Sequence, residues 1–169
     1  KIMTTMGSNN IYNLAIKGSC DDCQKIVKDL FNENEFRKKI NMSGVNSINW
    51  ARIICQIVYY FYSYFKLDKK NISFSVPTGN FGDIFAGYVA KKMGLPIDKL
   101  IVATNENDIL QRVINKGEYK PDKVKPSLSP SMDIQVSSNF ERLLFYIAGE
   151  DSDKVKSMMN SLHDKGSFQ

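Results

Sequence analysis

Ser73-Phe74-Ser75-Val76-Pro77-Thr78-Gly79-Asn80-Phe81-Gly82-Asp83-Ile84 is the stretch whose reading decides the fold. Phe74 and Val76 are sheet-prone apolar residues and read as a buried strand. Pro77 lacks an N–H and marks where strand pairing stops. Gly79 and Gly82 have no Cβ, so the backbone between them can turn sharply and admit a ligand. A helix expected from about Ile84 to Met93 then points unpaired N–H groups and its positive dipole end back at the loop. Such an arrangement binds anions, phosphate above all. The spacing is neither G-x-x-x-x-G-K-[ST] nor G-x-G-x-x-G, and taken alone it fits a plain tight turn as well.

Downstream, Gly94 and Pro96 stop that helix. Leu100 to Thr104 is a continuous apolar run, expected as a parallel strand covered on both faces. Asn107 or Asp108 is placed to cap a helix ending at Asn115 and closed by Gly117. Residues 119–131 are rich in Pro, Ser and Lys without periodicity and read as a loop between elements. Ser138 to Glu141 has the form of a capping box for a helix continuing through Leu143, Leu144 and Ile147. A last amphipathic helix is expected over about Asp153 to His163.

Upstream, Ile11 to Ile16 reads as a short strand. A helix from about Cys20 to Phe31, with Ser19 and Asp22 as an acidic capping box, places Cys23, Ile26, Val27, Leu30 and Phe31 on one face. A short helix follows over Phe36 to Ile40. Ser47 can cap a helix from about Ile48 to Leu67 that is apolar nearly all round. Asn49, Arg52 and Gln56 shorten its apolar run below the ~20 residues a bilayer span needs, so a buried core helix is expected. Strands near 12, 74 and 101 alternating with helices make an α/β fold, a parallel sheet flanked by helices. Ligands in such sheets sit beyond the carboxyl ends of strands, where residues 78–83 lie.

The 169 residues suffice for one domain. Lysines are scattered, so the net charge of +5 argues for a solvated surface rather than a nucleic-acid footprint. Three cysteines do not suggest a disulfide framework, and Cys20-x-x-Cys23 with a single histidine does not make a zinc site. Reduced thiols, no recognisable signal or transit segment and no membrane span point to a cytosolic protein. The start at Lys1 rather than Met suggests a piece of a longer chain.

Four segments resemble the threonine synthase family in the correct order: NSINWARI (residues 46–53), VPTGNFGDIFAGYVAKKMGLP (76–96), IVATNENDIL (101–110) and LSPSMDIQVSSNFERLL (128–144). The resemblance is to the longer fungal and bacterial class. It implies a fold-type II pyridoxal-phosphate enzyme, with residues 1–169 as the central part of the cofactor-binding catalytic domain. It also implies conversion of O-phospho-L-homoserine and water into L-threonine and phosphate. Residues implied to hold the cofactor phosphate are Gly79, Asn80, Phe81, Gly82 and Asp83. Asp83 carries a charge of the wrong sign, so it is expected to offer its N–H and to turn its carboxylate onto the helix. Asn46, Ser47, Arg52 and Asn80 are implied at the substrate's phosphate, where the planar guanidinium can donate two hydrogen bonds at once. From the residues alone, Asn46 and Ser47 serve equally as helix caps and Arg52 as an ion-pair partner.

In the family, the lysine that takes the cofactor comes from an earlier segment, and the hydroxyl facing the ring nitrogen from a later one. No catalytic residue or metal ligand is therefore expected here, and the remainder of the enzyme chain is the implied partner. Two alternatives share the same loop: another fold-type II lyase, and a non-catalytic anion-binding module.

Overall fold

The computed structural model describes residues 7–18, 20–46, 48–67 and 69–169, the side chain of Cys20 excepted. At its centre β1 (Ile72–Pro77) runs parallel to β2 (Ile97–Ala103), joined by the crossover helix α4 (Gly82–Lys92). Phe74 pairs with Leu100, Val76 with Val102 and Pro77 with Ala103, after an irregularity between Ile72 and Phe74. Helices α1 (Cys20–Asn32), α2 (Asn34–Lys39) and α3 (Trp50–Leu67) precede the sheet. Helices α5 (Ile109–Lys116), α6 (Phe140–Ile147) and α7 (Ser152–Lys165) follow it.

The core lies where α4 is wedged between α3 and the sheet. Ile53, Phe85, Ala86, Ala90, Ile109 and Leu110 are all but sealed from solvent. Close approach at α4 depends on one missing side chain. A Cβ at Gly87 would stand 2.6 Å from Tyr60 Cε1 and 2.9 Å from Leu100 Cδ2. The Tyr60 ring has little room to withdraw, because it packs edge-on against Phe74 at 4.8 Å and its hydroxyl donates to the Asp83 carbonyl at 2.7 Å. Gly87→Ala should therefore be a net loss of about 1–2 kcal/mol, overpacking outweighing the helix propensity gained. A lower urea midpoint at unchanged slope is the expected reading; a stabilised variant would refute this packing.

Several elements depart from their sequence reading. Residues 11–16 form no strand among the described residues and stand exposed, Leu14 at 93%. A strand exists only by pairing, and no described residue pairs with them. Helix α1 turns Asp21, Gln24, Val27 and Phe31 inward, while Cys23, Ile26 and Leu30 are exposed. Its polar residues face the turn at 135–138, so the apolar stripe does not mark the buried side. Ser19 lies outside the described residues.

Helix α3 is one-sided: Ile53, Ile57 and Tyr60 are buried, while Ile54, Val58, Tyr59, Tyr62 and Phe65 are exposed. No helix of the described residues is long and apolar enough to cross a membrane. Both strands are only half covered, with Ser73, Ser75 and Ile101 exposed. Asp108 stands at the N-cap of α5 without a capping side-chain bond and pairs instead with Arg112 at 2.9 Å. The capping box at 138–141 is likewise absent from α6, its polar groups being engaged elsewhere.

Candidate anion-binding site

The glycine loop leaves the sheet at the carboxyl ends of both strands. Thr78, 3% exposed, makes the last cross-strand bond, its N–H donating to the Ala103 carbonyl at 3.0 Å. Phe81 then takes a left-handed conformation, φ +66°, which costs a non-glycine residue about 1 kcal/mol or more. Burial of its ring, 5.4 Å from Phe140 and edge-on, offsets that cost. The turn delivers the chain into α4, whose first hydrogen bond runs from Phe85 N–H to the Phe81 carbonyl at 3.0 Å. Among the described residues none accepts the backbone N–H groups of residues 79–83. Gly79, Asn80, Gly82 and Asp83 line a cleft of about 180 Å³ at the positive end of the α4 dipole.

Three parts of the chain wall this cleft: the loop itself (Thr78, Gly79, Asn80, Gly82, Asp83), Gln56 from α3, and Ser131 with Met132. Among the described residues, Asp83 supplies the one formal charge in the lining. Its carboxylate is engaged by the Thr78 hydroxyl and by the Ile84 N–H at 2.9 Å. The Asp83 carbonyl is anchored by Tyr60, whose phenol burial holds well above its ordinary pKa and so firmly in the donor form.

The stretch 125–134 forms a strap over the loop. A Cβ on Gly79 would lie 3.3 Å from Met132 Cα and 3.3 Å from Ile134 Cγ1, so a glycine is needed where the strap crosses. Asp133 fixes the strap. Its carboxylate accepts from Ser127 Oγ (2.6 Å), Ser127 N–H (2.9 Å), Asn105 Nδ2 (2.8 Å) and Asn107 Nδ2 (3.1 Å). The Ser127 hydroxyl foremost holds its pKa below the usual carboxylate value. Asn107 also grips Lys125, donating to its carbonyl and accepting from its N–H, both at 2.8 Å. The run Ser129 to Asp133, for which the sequence suggested no role beyond a loop, thus forms a wall of the cleft.

The sequence-derived candidates fall into two groups. Gly79, Asn80, Gly82 and Asp83 line the cleft, whereas the Phe81 ring is buried in the core and only its backbone faces the turn. Asn46 and Arg52 do not line the cleft, and Ser47 lies outside the described residues. Arg52 is exposed and donates through Nη1 to the Val45 carbonyl at 3.1 Å, one helical turn before Gln56. A relay joins the two groups. Arg142 donates to the Ile48 carbonyl (2.8 Å) and to Asn139 Oδ1 (3.0 Å), and Asn139 donates from both its backbone N–H and its Nδ2 to the Asn80 carbonyl, each at 3.0 Å. Sequence reading missed Gln56, Asn139 and Arg142, which reach the loop, directly or through one another, from distant segments. Only Asn139 carried a local signal, and it resembled a helix cap.

A glycine loop at the carboxyl ends of a parallel strand pair, opening into a helix flanked by others, is an arrangement shared by several classes of α/β protein, the fold-type II pyridoxal-phosphate enzymes among them. No family model matches the chain. It is 52% identical over 99% of its length to a threonine synthase of Saccharomyces cerevisiae and 54% identical over 97% to one of Pseudomonas aeruginosa. The crystal structure of a pyridoxal-phosphate-bound threonine synthase from Brucella melitensis superposes on 99% of the chain with a TM-score of 0.87 at 55% identity. Over nearly its whole length the chain is similar to one segment of these threonine synthases. It spans about 35% of the length of the curated relatives it matches and 36% of the Brucella chain.

Proposed function

We propose that this chain is the phosphate-gripping centre of a threonine synthase, a pyridoxal-phosphate-dependent lyase that converts O-phospho-L-homoserine and water into L-threonine and phosphate. The observation that carries the reading is the loop of backbone N–H groups at residues 79–83, free of protein acceptors among the described residues, in a segment so similar to a cofactor-bound threonine synthase. The donor set suits the group: neutral N–H donors at a helix start bind phosphate without a countercharge, and the Asp83 carboxylate is already engaged. When bound, pyridoxal phosphate supplies an electron sink for carbanions on the substrate's carbons.

Gly79, Asn80, Phe81, Gly82 and Asp83 hold the cofactor phosphate, Phe81 through its backbone alone. Asn46, Ser47, Arg52 and Asn80 take the substrate phosphate that leaves the γ-carbon, while water adds at the β-carbon. The strap carrying Ser131 and Met132 closes one side of the cleft, and Gln56 on α3 extends the lining toward Arg52. Residues 1–169 are on this reading the central part of the catalytic domain of a cytosolic enzyme, completed by the rest of its own chain.

The test uses the full-length protein loaded with pyridoxal phosphate. Supplied with O-phospho-L-homoserine, it should release phosphate and L-threonine in equal amounts. Arg52→Ala should lower kcat/KM by about ten- to a hundredfold, the effect of removing a charged hydrogen bond. A keto acid and ammonia in place of threonine would overturn the reading in favour of another lyase of the same fold. Absence of any cofactor-dependent turnover would leave an anion-binding module.

A further inference from the structure

Among the described residues, Asn80 is the one loop residue whose side chain is held by distant parts of the chain. Its Oδ1 accepts from Gln24 Nε2 at 3.2 Å and lies 3.4 Å from Ser138 Oγ. The Ser138 hydroxyl donates to Gln24 Oε1, so the two residues also fix one another. This explains why Ser138 does not cap α6, and why Gln24 faces inward on α1. The Asn80 carbonyl is clamped separately by Asn139. An amide side chain has an acceptor end and a donor end, and nothing in its shape decides which one faces a ligand. Here the acceptor end is taken, and Nδ2 has no acceptor among the described residues. Asn80 itself lines the cleft.

We infer that Gln24 is a positioning residue for the anion site: with Ser138 it holds the Asn80 side chain in the cleft wall, in the orientation that offers Nδ2 to phosphate. Gln24 acts only through Asn80 and lies on α1, far from the loop in sequence. Were the amide reversed, Oδ1 would face the anion and repel it. The inference rests on the reading of the loop as a phosphate cradle.

A double-mutant cycle on the full-length protein tests it. Gln24→Ala, Asn80→Ala and the double variant are titrated with pyridoxal phosphate, and the 31P resonance of the bound cofactor is recorded for each. Gln24→Ala should weaken cofactor binding by about threefold to tenfold, the effect of losing one orienting hydrogen bond, and should shift the 31P resonance. In the Asn80→Ala background the same substitution should change neither quantity. Gln24→Glu, which keeps the Ser138 bond but sets a carboxylate oxygen against Asn80 Oδ1, should weaken binding more than Gln24→Ala only when Asn80 is present. An equal loss in both backgrounds would overturn the inference, as would no loss in either. If Asn80→Ala leaves affinity and the 31P resonance of the wild type unmoved, the Asn80 side chain takes no part in holding phosphate and the inference is overturned; failure of the full-length protein to bind pyridoxal phosphate at all would instead sink the reading of the loop, which is a distinct result.

Discussion

Phe85→Ala is expected to destabilise the protein by about 3–5 kcal/mol, the cost of deleting a sealed aromatic side chain. Phe85 is 2% exposed and sits one turn into α4. Its ring stacks on Tyr88 at 5.9 Å and meets Trp50 at 6.4 Å and Tyr146 at 6.3 Å. It therefore joins α3, α4 and α6, and its loss leaves a void that three helices would have to collapse to fill. The urea midpoint of the full-length protein should fall with its slope unchanged. A loss below about 1 kcal/mol would mean that Phe85 does not hold these helices together.

Asn107→Ala is expected to cost about 3 kcal/mol by a different route. Asn107 is 3% exposed, and its amide bonds to Asp133 and to both the N–H and the carbonyl of Lys125. Each such bond contributes about 1 kcal/mol, and partners left unsatisfied in a buried site add to the loss. The damage should be local. Amide hydrogen exchange over residues 125–134 should speed up while α3 and α4 keep their protection, because the strap opens without the core. Cofactor affinity should fall with it, since Ser131 and Met132 wall the cleft. Uniform loss of protection across the chain would contradict a strap that can open alone.

What was legible in the sequence was local. Phe74, Val76 and Pro77 identify a strand and its end, and Gly79 and Gly82 identify a turn into a helix, because each signal depends on the chain within a few residues of itself. The Leu100 to Thr104 run and the Gly117 stop were legible for the same reason, Gly117 taking its left-handed φ of +75°. What depends on distant partners was not. Residues 11–16 read as a short apolar strand, yet nothing in that stretch supplies a neighbour to pair with. Ser138 reads as a cap because capping is what serine most often does before a helix, yet its hydroxyl is spent on Gln24, 114 residues away. The apolar surround of α3 suggested burial on every side, but in this chain only the face toward α4 is covered. The role of Ser129 to Asp133 arises from bonds reaching back to Asn105 and Asn107, which no motif within the run reveals.

The clamp on Asn80 also sets a clock on biosynthesis. Asn80 is bonded backward to Gln24, 56 residues earlier, and forward to Asn139, 59 residues later. Strand β1 and the first turn of α4 leave the ribosome well before the residue that locks the peptide between them. At ordinary translation speeds of about 5–20 residues per second, roughly 3–12 s separate the synthesis of Asn80 from that of Asn139. During that interval the glycine loop lacks the clamp from Asn139. On the proposed reading of the loop, cofactor loading on the nascent chain is ordered in time: it should follow the synthesis of α6, however early the glycines themselves emerge.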